Sequence, residues 1–203
     1  MHPKKQLEKY AREALEEAGI KEGQIVLDCC CGSGTYTIPA AQLVGEKGLV
    51  YAIDISNSKL DDLKQRVDLK KLQNVEIIEK DVESKIPLPD RSVNVIFLYD
   101  IFWYFRPTEN KLIKLLQEVY RVARLGALVS VYPTHVSSCE LEHFKNEMRN
   151  KGFRLDSQCS RKLVHEGNLE RGRLLNFKKE SKKGQKERDE IKGAAQRIRD
   201  RKR

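Results

Sequence analysis

Apolar positions along this 203-residue chain follow two rhythms, and the rhythms take turns. Leu7, Tyr10, Ala11, Ala14, Leu15 and Ala18 recur at helical spacing over residues 4–18 and stop at Gly19. Residues 24–29 read as a buried strand, residues 35–44 as a helix, and residues 49–54 as a second strand. Ser56 or Asn57 then caps a helix with Leu60, Leu63 and Val67 on one face. A third strand follows at 75–79. Pro87 and Pro89 exclude regular structure from the loop 81–92. A fourth strand spans 93–98, and Thr108 opens a long helix with Leu112, Leu115, Leu116, Val119 and Val122 in one stripe. Gly126 precedes a fifth strand at 127–132, and residues 136–151 are helical around Leu141, Phe144 and Met148. Runs at 153–164 and 169–177 flank Gly167-Asn168 and suit an antiparallel pair.

Strands that alternate with helices imply βαβ units. The expected fold is therefore α/β: a Rossmann-like, doubly wound, seven-stranded and mostly parallel sheet. It should have an antiparallel edge hairpin and helices on both faces. No internal repeat is visible.

Composition alters this picture only at the C-terminus. Hydrophobic residues make up 39% and charged residues 34%, and the imbalance is local. From Lys178 to Arg203, 12 basic residues stand against 5 acidic ones, a net of +7. The preceding 177 residues carry 27 basic and 25 acidic residues, a net of only +2. The expected organisation is one domain over 1–177 and a basic, flexible or partly helical tail over 178–203. Residues 181–187 read as a linker, and Ile191, Ala194, Ala195 and Ile198 form a faint helical stripe. An electrostatic arm for RNA or an acidic protein is the sharper use of the tail, although it lacks aromatic residues for base stacking.

Cys29, Cys30 and Cys31 are consecutive, with Cys139 and Cys159 far off. Neighbouring cysteines pair poorly, so small residues lining a turn in a reducing compartment is the expectation. No Cys or His spacing suggests a metal. No apolar run is long enough for a membrane span, and no signal-peptide core precedes the first helix, which points to the cytoplasm.

The candidate chemistry sits where the first strand ends. Val26-Leu27-Asp28-Cys29-Cys30-Cys31-Gly32-Ser33-Gly34 is an apolar run closed by an acid and a glycine turn. Val50-Tyr51-Ala52-Ile53-Asp54 ends the second strand on another acid, and Asp81 follows the third. Glycines permit close backbone approach to a ligand, and the second-strand carboxylate is placed for ribose hydroxyls.

These pieces together resemble the class I S-adenosylmethionine-dependent methyltransferases, especially the group of ubiquinone/menaquinone-type enzymes, over roughly residues 5–177. The turn above is similar to their first motif. The resemblance implies that Asp28, Cys30, Gly32, Gly34 and Tyr36 lie around S-adenosylmethionine. It gives the ribose to Asp54, and adenine packing to Ile55. Adenine recognition falls to Asp81 and Val82, within Glu79-Lys80-Asp81-Val82. Ser92 to Asp100 is similar to the family's fourth motif and adds Tyr99. Leu116 to Val122 looks like the helix before the fifth strand.

Two departures stand out. Cys30 replaces the first motif glycine, which a small residue tolerates provided φ stays negative. Arg124-Leu125-Gly126-Ala127 replaces a frequent Lys-Pro-Gly-Gly turn. A nicotinamide dinucleotide fits less well. Its fingerprint wants a third Gly or Ala where Thr37 stands, and Asp28 is unhelpful near a pyrophosphate yet harmless near an ammonium and a sulfonium.

Methyl transfer from a sulfonium depends mostly on alignment, so a general base is needed only where the acceptor must lose a proton. His135 is the candidate base, with Asp100 beside it. Trp103, Tyr104 and Tyr132 are the acceptor-facing candidates, with Phe105 and Thr134 nearby, and His2 and Tyr10 sit where the N-terminal helix can close over the site. Leu98-Tyr99-Asp100-Ile101 lacks the Asn/Asp-Pro-Pro-aromatic motif of amino-methylating relatives, and no Pro-Cys nucleophile is present. A small-molecule acceptor is the leading expectation. The alternatives are an RNA or protein methyltransferase guided by the tail, and a non-catalytic or NAD-type nucleotide-binding protein.

Overall fold

In the computed structural model, described here for residues 3–83 and 85–181, seven strands form one sheet in the order β3-β2-β1-β4-β5-β7-β6. The strands are β1 (Ile25–Cys29), β2 (Leu49–Asp54), β3 (Val75–Glu79), β4 (Val93–Tyr99), β5 (Ala123–Tyr132), β6 (Phe153–His165) and β7 (Asn168–Lys179). The helices are α1 (Pro3–Ala18), α2 (Thr37–Val44), α3 (Asn57–Leu69), α4 (Asn110–Val122) and α5 (Ser138–Asn150). β1 to β5 pair in parallel, and β7 runs antiparallel to both β5 and β6. The expected fold is the observed one.

Alternation along each strand divides the core. Leu27, Ile53 and Ile96 face the α4–α5 layer with Leu112, Leu116 and Phe144. Val26, Val50 and Val95 face the α1–α2 layer with Leu15 and Ala40. Ala52 meets α3 through Leu60 and Leu63. Strand order reverses between β1, which turns toward β2 and β3, and β4, which leads away. In open α/β sheets, ligands bind at the carboxyl ends of the strands beside that point.

Helices α2, α4 and α5 begin two residues later than expected, at Thr37, Asn110 and Ser138, and two strand ends differ by more than one residue. β5 starts at Ala123 rather than after Gly126, because Val93 pairs with Ala123 while Val95 already pairs with Leu128. Residues 124–126 are therefore extruded and exposed, with Gly126 at φ 76°. β7 also continues past Phe177 to Lys179. The Lys179 ammonium donates to the carbonyls of Tyr120 (2.6 Å) and Ala123 (2.8 Å), closing the C-terminus of α4. Lys178 and Lys179 therefore belong to the sheet and not to the tail. The expected linker and helical stripe beyond Ser181, and His2, lie outside the described residues.

Candidate functional site

The carboxyl ends of β1, β2 and β3 bring their acids to one edge of the molecule. Asp54 organises the turn after β1. One carboxylate oxygen accepts the Gly32 N–H at 2.8 Å and the other accepts the Ser56 N–H at 2.9 Å. The Cys31 N–H donates to the Ile53 carbonyl at 3.0 Å, so the glycine turn is sewn to β2 at two points. Each Asp54 oxygen keeps lone-pair capacity for a further donor. Ile55, next in sequence, is 66% exposed, an apolar side chain left uncovered beside that carboxylate. Asp81 is exposed and Val82 is buried beneath it.

Asp28 lies deeper than expected. It is 2% exposed and accepts a hydrogen bond from Thr37 Oγ1 at 2.6 Å. Burial pushes its carboxyl up to about 7, against the opposing pull of the Thr37 hydroxyl. Thr37, read from sequence as a mismatch to a dinucleotide fingerprint, is thus the hydroxyl that holds Asp28. The folded-state pKa exceeds the unfolded one, so ionising Asp28 opposes folding. Stability is expected to fall as pH rises from about 4 to about 7, where only the unfolded chain has given up this proton. Asp28→Asn should raise the melting temperature at pH 8 and leave it unchanged near pH 3, as read by thermal denaturation.

Cys30 corrects a condition set by the sequence reading. Its φ is +63°, not negative, so a cysteine occupies a left-handed geometry that glycine adopts without strain, as Gly32 and Gly34 do in the same turn. Its side chain packs on the main core, which offsets part of the strain. Cys30→Gly is accordingly expected to stay within about 1 kcal/mol of the parent, whereas Cys30→Val should cost about 2 kcal/mol because a β-branched residue resists this conformation. Chemical denaturation measures both. All five cysteines are free.

Tyr36 was expected to cover the cofactor, but it is 6% exposed and lies beneath the turn. Its hydroxyl donates to the Val164 carbonyl (3.1 Å) and accepts from the Val164 N–H (3.0 Å), tying the turn to β6. Tyr99 is also buried. Ser130 Oγ donates to Asn176 Oδ1 at 2.8 Å, so the Tyr99 hydroxyl, 2.7 Å from Ser130, donates to it. Tyr132, expected to face the acceptor, is 2% exposed, and burial raises its phenol to about 12. A Cβ on Gly172 would come within 2.4 Å of its ring, so that glycine makes room for it. Phe105 is buried too, and Tyr10 packs on the α1–α2 core under Lys162.

Trp103 and Tyr104 differ from these: they are 56% and 72% exposed. Trp103 lies with its ring centroid 4.6 Å from that of His135. Asp100 and His135 do come together, through a residue that sequence reasoning missed. His165, 6% exposed at the end of β6, places Nδ1 2.7 Å from Asp100 Oδ2 and Nε2 3.0 Å from His135 Nε2. Thr134 Oγ1 donates to the other Asp100 oxygen. No local spacing announces this trio, since His135 and His165 are thirty residues apart and meet only through the sheet.

A family model described as a methyltransferase domain matches residues 20–194. A demethylmenaquinone methyltransferase of Geobacillus sp. (strain WCH70) is 29% identical over 140 residues, covering 67% of this chain and 58% of that protein. That of Listeria welshimeri is 29% identical over 126 residues, covering 62% and 51%. The chain thus spans little more than half the length of these relatives. Among solved structures, a SAM-dependent methyltransferase from Aquifex aeolicus superposes with a TM-score of 0.67 at 28% identity, covering 85% of this chain and 92% of that one. A SAM-dependent O-methyltransferase from Thermotoga maritima matches at 14% identity with a TM-score of 0.64, covering 86% and 66%, a likeness of fold.

Proposed function

The chain belongs to the methyltransferase-domain family, and from that premise we propose that it methylates a small molecule received at the carboxyl ends of β4 and β5. Its cofactor is S-adenosylmethionine. The residues fit that group. Asp54 offers spare acceptor capacity for two ribose hydroxyls, and Ile55 presents an uncovered apolar surface for adenine. On this reading Asp81, exposed after β3, takes the adenine amino group, and Asp28, held beneath the turn by Thr37, favours the cationic end of the nucleoside when it is ionised.

When bound, the cofactor supplies a methyl group already activated on sulfur. The chain's residues then have to bind, orient and exclude water, and alignment of this kind contributes several orders of magnitude to rate. The observation that carries the small-molecule reading is the exposed Trp103 ring against His135, with exposed Tyr104 next in sequence, in a molecule whose other large aromatic side chains are mostly buried. The relatives' name supports the same class, because demethylmenaquinone is a small molecule. No helix among the described residues is long and apolar enough to cross a membrane.

A transfer assay with methyl-labelled cofactor, run against separated metabolite, RNA and protein fractions, tests this reading. Label should enter the metabolite fraction, and fall at least tenfold with Trp103→Ala (about 1.4 kcal/mol). Label confined to RNA or protein contradicts it and transfers the role of acceptor recognition to the basic C-terminus.

A further inference from the structure

Asp100, His135 and His165 reach one point from the ends of three different strands. One ligand-capable atom from each lies within 4.8 Å of the other two. We propose that this cluster is a binding site for a single divalent transition-metal cation of the zinc class, held by the Nε2 atoms of His135 and His165 and backed by Asp100.

Hydrogen bonding sets the tautomer. Asp100 Oδ2 lies 2.7 Å from His165 Nδ1, and an ionised carboxylate can only accept, so the imidazole proton sits on Nδ1. His165 Nε2 then carries a lone pair. That atom is 3.0 Å from His135 Nε2. Two imidazole nitrogens sharing a tetrahedral ion at about 2.05 Å lie about 3.3 Å apart, so the rings need move by only a few tenths of an ångström. A carboxylate behind a metal-binding histidine is the usual second partner of such a ligand, fixing the ring and raising its basicity. A third donor is within reach: Glu170 Oε1 stands 3.8 Å from His165 Nε2, on a half-exposed side chain that can turn inward.

Backbone geometry supports the same assignment. Asp100 and His135 have φ of +58° and +56°. A non-glycine residue in this region costs about 1–2 kcal/mol. Such strain persists where surrounding structure holds it, and it gathers at functional sites. The holding contacts are present: Thr134 binds Asp100, the Arg106 guanidinium donates to the His135 carbonyl at 3.1 Å, and Trp103 leans on the His135 ring. His165 is buried while His135 is exposed against Trp103, so open coordination positions would face the solvent side of the cluster, beside Trp103. An open site of this kind receives an oxygen ligand from outside the protein. That last use rests on the small-molecule reading above, whereas cation binding itself does not.

The test is binding of Zn²⁺ alone to chelator-stripped full-length protein by calorimetry, with Co²⁺ absorption reporting the ligand set. One equivalent is expected, with a cobalt spectrum of nitrogen and oxygen ligands. Binding should be lost in both His135→Gln and His165→Gln, and weakened about 10–100-fold in Asp100→Asn. His135 is exposed, so its variant keeps the test valid even where His165→Gln fails to fold, which far-UV circular dichroism reads. No binding by the folded wild-type protein overturns the proposal. So does undiminished binding by His135→Gln, or a sulfur-to-cobalt charge-transfer band, which would place the ion on the cysteines.

Discussion

Asp54→Ala is expected to weaken binding of S-adenosylhomocysteine at least about 100-fold, a loss near 2.7 kcal/mol. The carboxylate makes two charge-assisted hydrogen bonds within the protein, to the N–H groups of Gly32 and Ser56, and its remaining lone pairs face the position proposed for the ribose. Bonds to a charged group contribute about 1.5–3 kcal/mol each, so losing those to a ligand and relaxing the turn together reach this range. Asp54→Asn separates the two contributions. Its amide can replace one acceptor but must turn an NH₂ toward the other backbone N–H, so it should fall between wild type and alanine. Calorimetric titration measures all three. Wild-type affinity in Asp54→Ala would remove Asp54 from the cofactor site.

The second large effect is on folding. Gly34→Ala is expected to destabilise the protein by about 2–5 kcal/mol, combining left-handed strain of about 1–2 kcal/mol with overpacking of about 1–3 kcal/mol. Gly34 has φ +81°, and a Cβ there would stand 2.3 Å from Leu63 Cδ1 and 3.4 Å from Thr37 Cβ. Leu63 is fully buried between α3 and the sheet, so it has little room to yield. Leu63→Ala opens that space at its own cost. In a double-mutant cycle, Gly34→Ala should therefore cost less in the Leu63→Ala background than in the wild type. Additive effects, read by urea denaturation, would show that the clash is absent.

Much of the fold could be read from the order of residues because each strand announced itself by an apolar run and each helix by a face. β2 and β3 fall on their expected bounds, since an apolar run and a turn signal coincide at both ends. β5 did not, because its first residues are set by pairing of Ala123 with Val93 and not by hydrophobic rhythm. The acids at the ends of β1, β2 and β3 were legible for a related reason: they close strands, and strand ends in a parallel sheet meet in space. Burial was not legible. Tyr99 and Tyr132 close β4 and β5 and Tyr36 precedes α2, yet their rings are turned into the core around one another, with centroids 4.5 Å and 6.4 Å apart along the series. Nor was the sign of φ at Cys30, which the backbone of the turn decides over the preference of its side chain. His165 was missed because its partners are 65 and 30 residues away in sequence, and only the long β6–β7 hairpin delivers it.

These observations share one premise: the acids at the ends of β1, β2 and β3, together with the glycine turn, form the nucleoside site. A crystal structure with S-adenosylhomocysteine bound tests it most directly. The ribose hydroxyls should lie within hydrogen-bond distance of the Asp54 carboxylate, the adenine against Ile55 and beside Asp81, and the backbone of Gly32–Gly34 along the amino-acid arm. A nucleoside seated away from the Asp54 carboxylate, for example on the α1–α3 side of the turn in the 460 Å³ cavity lined by Glu8, Ser33, Thr35, Asp62 and Arg66, with Asp54 still bound only to Gly32 and Ser56, would contradict it.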